Sequence, residues 1–163
     1  MAEEQRSCTE EVGIQEEIYR QFGESKILPE QYSALGLAYI GDAVYDLIIR
    51  TLVLSQGNNK VNILHKRTSS IVRAESQARL VESIEKELTE EEDKIFHHGR
   101  NAKSGSSAKN ASIIDYRIAT GFEALVGYLY LKNEIKRAVF LIALGLERTG
   151  QFCRKYEGLD YEV

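Results

Sequence analysis

Three carboxylates stand where the surrounding residues offer them no obvious partner. Asp42 and Asp46 lie in SALGLAYIGDAVYDLII (33–49) and Glu123 in TGFEALVGYLYL (120–131), stretches that are otherwise almost wholly apolar. An ionised carboxylate in such a setting is costly unless it is paired, hydrogen-bonded or bound to a cation. Two hard oxygen ligands without a neighbouring His or Cys suit Mg²⁺ or Mn²⁺ better than zinc. Beside a phosphodiester, such an ion would activate water and neutralise charge building on the phosphorus oxygens, the chemistry of a phosphodiester hydrolase. Gly41 flanks one acid and Gly127 lies a turn beyond the other; small residues there would let two helices approach until both acids share one site. The alternative is that Asp42 and Glu123 are satisfied interior acids, bonded to Tyr hydroxyls, Arg50 or Arg117. Asp46 shares the helical face of Asp42 one turn on, yet it also precedes Arg50 by four residues and could be no more than its ion-pair partner.

Candidate phosphate contacts are grouped elsewhere. From Lys94 to Asn110 there are four basic residues and no acid. Arg100, Lys103 and Lys109 suit RNA phosphates, with Asn101, Ser104 and Asn110 as neutral donors to phosphate or 2′-hydroxyl oxygens. A solvated connector is the plainer reading of the same run. His65 and Lys66, near the start of another helix, could meet a phosphate or simply form a solvated first turn. His97 and His98 lack an adjacent Asp and a second His on a matching apolar helix, and read as residues at a loop edge.

These side chains need helices to place them. Residues 33–55 carry apolar positions on nearly every side of a helical wheel, as do residues 113–131, so both read as helices surrounded by protein. A short helix is expected over 14–26, before Pro29. A surface helix is expected over 63–86 with Asn62 as its cap. Thr89 followed by EEED is a strong helix start, predicting about two turns that end near Gly99. GRNAKSGSSAKNAS (99–112) has turn composition and reads as an exposed loop. A last amphipathic helix is expected over 134–157. The fold class is therefore all-α, with one Pro, no Trp and no credible strand or repeat.

The 163 residues suit one domain. Residues 1–27 read as an acidic, partly flexible extension and 28–163 as the domain itself. The net charge is −4, but eight Glu against Arg6, Arg20 and Lys26 fall within residues 1–30, which leaves the rest close to neutral. No basic leader followed by an apolar run is present, and no membrane-spanning stretch, so a cytoplasmic protein is expected. Cys8 and Cys153 are far apart in sequence, without a CxxC partner, and read as free thiols.

The motif LAYIGDAVYDLIIR resembles the signature helix of the ribonuclease III family, and TGFEALVGYLYL resembles that family's second acidic helix. GRNAKSG and YRIATGFEALVGYLYL resemble in particular its Mini-ribonuclease III group, and the resemblance extends from about Leu28 to Gly145. It implies an all-helical endonuclease domain, a bundle that forms a homodimer with the signature helices at the interface. It further implies Mg²⁺-dependent hydrolysis of double-stranded RNA, with Mn²⁺ able to substitute, leaving 5′-phosphate and 3′-hydroxyl ends. Asp42 and Glu123 match the family's metal-binding acids. Ala38 and Thr120 stand where the larger family carries two more acids, which leaves Asp46 and Thr120 as candidates for a supporting shell. The group lacks a separate double-stranded-RNA-binding domain, so the catalytic domain must grip RNA itself. The implied substrate is the precursor of large-subunit (23S) ribosomal RNA, with neither DNA nor membrane as a partner. The rival class is an inactive dimer of the same fold that binds structured RNA as a scaffold, favoured by the absent acids at 38 and 120.

Overall fold

A computed structural model describes residues 13–103 and 112–152. Seven α-helices run through the described residues: α1 (Ile14–Phe22), α2 (Ala34–Ser55), α3 (Val61–Val72), α4 (Ala74–Ile84), α5 (Glu90–Asn101), α6 (Ile113–Leu131) and α7 (Ile135–Arg148). Short 3₁₀ turns at Pro29–Gln31 and Glu85–Glu87 precede α2 and α5. No strand occurs among the described residues.

The two apolar helices form as their sequences predict. Ser33 caps α2 by accepting the Gly36 N–H at 3.0 Å, and Ser112 caps α6 by accepting the Asp115 N–H at 3.0 Å. Each cap fills an orphan donor of the first turn and contributes about 1 kcal/mol. α6 is the centre of the molecule: from Ala119 to Leu129 every residue except Glu123 is buried, with α2, α4, α5 and α7 packed around it. Tyr45 and Ile49 of α2, Leu80 and Ile84 of α4, Phe122 and Leu125 of α6, and Leu141 and Leu146 of α7 belong to one continuous core.

Four expectations are corrected. The helix expected over 63–86 is two helices, because Arg73 takes an extended conformation (φ −62°, ψ 149°) and is N-cap to α4. Tertiary contacts satisfy the broken backbone: Ser76 Oγ donates to the Ser70 carbonyl at 2.8 Å and Gln77 Nε2 to the Val72 carbonyl at 2.9 Å. Asn62 is not the cap of α3; Lys60 holds that position and makes no side-chain cap bond. α5 runs three turns and takes in Gly99, Arg100 and Asn101, so His97 and His98 are helical and the loop begins later than expected. α7 ends at Arg148, short of the expected 157.

The start of α5 is anchored unusually well. Thr89 and Glu92 form the reciprocal capping box. The buried Glu92 carboxylate also receives Arg137 of α7 in a bidentate pair at 2.7 and 2.9 Å. Burial pushes this carboxyl up, but the Arg137 and Thr89 bonds outweigh it and hold it below the ordinary range. That junction orients the rest of α5, whose last turn lies against the candidate site.

Candidate active site

The two outer acids meet because two glycines remove the side chains between α2 and α6. A Cβ on Gly41 would lie 1.7 Å from the Glu123 carbonyl oxygen, and one on Gly127 would lie 2.0 Å from the Leu37 carbonyl oxygen. Backbones are therefore in direct contact at the crossing, as the positions of Gly41 and Gly127 suggested. Asp42 and Glu123 stand at this crossing, one from each helix.

Their environments differ. Glu123 is half-buried, whereas Asp42 is exposed, which corrects the expectation that both are interior acids. α2 turns its Asp42 side outward because Leu37, Ala38, Gly41, Val44 and Tyr45 occupy the buried side. Although the side chain is exposed, the partial desolvation of the Asp42 carboxyl raises it, with the negative charge of Asp46 added. Glu123 is pushed up to about 7, chiefly by burial; a bond from Gln77 opposes this and the Asp42 charge reinforces it. The ionised Asp42 thus disfavours the ionised form of Glu123, as a like charge near a carboxyl does.

The tyrosine and arginine partners weighed for these acids do not engage them among the described residues. Asp42 has no hydrogen-bond or ion-pair partner there. The bond to Glu123 comes from Gln77 of α4, whose Nε2 donates to Oε1 at 3.0 Å. Asp46 does pair with Arg50, so its influence on Asp42 is one of charge at a distance. Thr120 is buried, with its hydroxyl donating to the Tyr116 carbonyl at 3.0 Å, and Ala38 packs with Leu37, Ala124 and Tyr128. Neither position supplies a ligand. No cluster of three or more His, Cys, Asp or Glu forms a metal cage among the described residues.

Among the described residues Asp42 has no protein partner and Glu123 is bonded at one oxygen by Gln77, a donor set that fits a hard divalent cation. A cation there would favour the ionised form of both groups and offset the charge of Asp42 that raises Glu123. Because the described residues offer two such ligands there, water and phosphate would complete the shell.

The last turn of α5 reaches the same stretch of α6. A Cβ on Gly99 would lie 2.7 Å from the Ala124 Cβ and 3.1 Å from the Thr120 carbonyl oxygen. Arg100, half-buried, and the exposed Asn101 and Lys103 therefore follow immediately after a contact with the turn that bears Glu123. Ser104, Lys109 and Asn110 lie outside the described residues, as do Cys8 and Cys153. His65 and Lys66 are exposed on α3; Lys66 lines a shallow cleft with Asn62, Arg67 and Ser70 that contains none of the acids.

Sequence reasoning missed Gln77 and Tyr45. Gln77 was legible in outline, since it falls on the apolar stripe Ala74, Val81 and Ile84 of α4, where an amide is out of place. Tyr45 follows Asp42 by three residues, fully buried and edge-on to Phe122 with centroids 5.5 Å apart. Burial, and then the charge of Glu123, hold its phenol un-ionised.

A broad apolar groove of about 680 Å³ runs between α2 and α7 and contains none of the acids in its lining. Ala43, Val44, Leu47 and Ile48 of α2 and Val139 and Ala143 of α7 line it, with Leu47 53% and Val139 40% exposed. No described helix is long and apolar enough to cross a membrane.

Comparison with known proteins gives a consistent result. The ribonuclease III domain family matches residues 35–134 of the chain. Mini-ribonuclease 3 of Clostridium tetani is 55% identical over 109 residues, spanning 66% of this chain and 72% of the relative. Mini-ribonuclease 3 of Enterococcus faecalis is 43% identical over 128 residues, 77% of this chain and 97% of the relative. An X-ray structure of a Fusobacterium nucleatum protein superposes with a TM-score of 0.65 at 29% identity, covering 74% of this chain and 95% of that one.

Proposed function

The chain belongs to the ribonuclease III domain family, and from that premise we propose a homodimeric endoribonuclease in which Asp42 and Glu123 hold Mg²⁺, or Mn²⁺, against double-stranded RNA. Residues 28–163 are its catalytic domain and 1–27 an acidic extension. The observation that carries this reading is the α2–α6 crossing, where Asp42 and Glu123, without a cationic partner among the described residues, come from helices packed backbone to backbone beside the last turn of α5. The substrate is the paired region of a large-subunit (23S) ribosomal RNA precursor in the cytoplasm, a choice supported by the Mini-ribonuclease III resemblance.

Each part of the site has a task. Glu123, anchored from α4, presents one oxygen from the floor, and Asp42 presents its carboxylate from the open rim. Asp42 and Glu123 would hold a divalent cation, which when bound would supply Lewis acidity toward a phosphodiester and ease loss of a proton from water. Arg100, Lys103 and Lys109 hold the RNA backbone, assisted by Asn101 and Ser104, with His65 and Lys66 as outer contacts. Asp46 and Thr120 support from behind, Asp46 by its charge and Thr120 by packing α6 against α5. The apolar groove along α2 and α7 supports a second copy seated there, since a monomer exposing such a surface is prone to associate.

Ala38 and Thr120 favour the scaffold reading, because the site offers two acids where the larger family has four. Against it, an abandoned site has no reason to keep two mutually repelling carboxylates at a close helix crossing. A labelled RNA duplex incubated with Mg²⁺ or with chelator separates the two. Cuts on both strands that require the metal are expected. Asp42→Asn and Glu123→Gln should lower cleavage at least ~10³-fold, several kcal/mol of barrier, with duplex binding within about threefold of the parent. Binding without cuts in the parent protein would instead establish a scaffold.

A further inference from the structure

We propose that Gln77 is a positioning residue that sets the Glu123 carboxylate for cation binding. This rests on the reading of Asp42 and Glu123 as the cation-binding pair.

Gln77 is 2% exposed, and its amide nitrogen donates to two acceptors: the Val72 carbonyl at 2.9 Å and Glu123 Oε1 at 3.0 Å. Both contacts require the NH₂ end, so the orientation of the amide is determined by its partners. The cost of that orientation is visible, because Gln77 Oε1 is buried without a hydrogen-bond partner among the described residues. A buried amide is retained in this way only if its donors are needed.

The Val72 carbonyl is available because the chain leaves the helix at Arg73. Arg73 Nε donates to Ser76 Oγ at 3.2 Å and Ser76 Oγ donates to the Ser70 carbonyl at 2.8 Å, which locks the elbow between α3 and α4. Gln77 carries that rigidity across to α6. A glutamate left alone would sample several rotamers, and binding a cation would have to order them. Held by one oxygen, Glu123 offers the other in a single place. With only two carboxylates in the site, such ordering cannot be spread over a larger ligand set. Partners of this kind typically change metal affinity ~10–100-fold.

The test is Mn²⁺ binding by calorimetry without RNA, on the parent, Glu123→Gln, Gln77→Met and Gln77→Asn. Met keeps the length without a donor, and Asn keeps an amide one methylene too short to reach Glu123, so the result does not depend on one variant folding. Both Gln77 variants should bind Mn²⁺ about tenfold more weakly or worse, while duplex affinity measured in chelator stays within about twofold of the parent. A purely structural role would lower the urea midpoint and leave the Mn²⁺ affinity of the folded protein unchanged, which would overturn the proposal. Parallel losses of Mn²⁺ and duplex affinity would also overturn it. If Glu123→Gln itself retains parental Mn²⁺ affinity, the acid-pair reading fails and this inference with it; if Glu123→Gln loses it and the Gln77 variants do not, this inference alone fails.

Discussion

Glu123 is held at a cost that depends on pH. Its folded value of about 7 lies above the ordinary 4.5, so between these values the folded protein binds a proton that the unfolded chain has lost. Stability therefore falls as pH rises through that window, and the full cost is present above it. Glu123→Gln removes the charge and keeps an acceptor for Gln77. Without divalent metal it should raise stability by on the order of 1–3 kcal/mol at pH 8 and by almost nothing at pH 4.5, read from urea midpoints. Mg²⁺ should narrow the gap at pH 8 by stabilising only the parent. A pH-independent effect would mean that the carboxylate is not strained by its surroundings. Nothing local announces this strain: the sequence shows an acid among apolar residues, but the amide that tempers it comes from 46 residues away.

At the scale of elements, the site exists because α2 and α6 touch backbone to backbone. Gly127→Ala tests this directly. Alanine should favour an exposed helix by about 1 kcal/mol over glycine, yet here the added carbon would lie 2.0 Å from the Leu37 carbonyl oxygen. Overpacking against unyielding backbone costs about 3 kcal/mol or more, so the clash should win and the urea midpoint should fall. A variant as stable as the parent would show that the crossing can open without penalty. Helices α2 and α6 were legible from apolar residues on nearly every side of the wheel, and α5 from Thr89 and its acids. The break at Arg73 was not legible, because no Gly or Pro marks it. It is sustained by Ser76 and Gln77 reaching back to carbonyls of α3.

For the molecule as a whole, Asp42 and the apolar groove share α2, so the proposed cation site and the proposed dimer surface both draw on one helix. If the groove seats a second copy, charges placed in it must split the pair. Leu47→Glu with Val139→Glu should halve the mass measured by sedimentation, with the helical circular dichroism of the parent retained. A dimer that survives both changes would place the interface elsewhere. Neither residue belongs to the buried core, so the fold should tolerate the substitutions.

What the sequence alone determined was local: the helical class, the Thr89 cap of α5, the two crowded helices, the glycines between them and the acids they carry. These follow from periodicity, capping chemistry and composition, which act between near neighbours. Tertiary structure decided the rest. It placed Asp42 on the rim rather than inside, drew Asp46 to Arg50, gave Gln77 to Glu123 and brought the end of α5 to the same turn of α6. Such choices depend on which surfaces of distant segments bury one another, a balance set by the packed whole and not by any single stretch of chain.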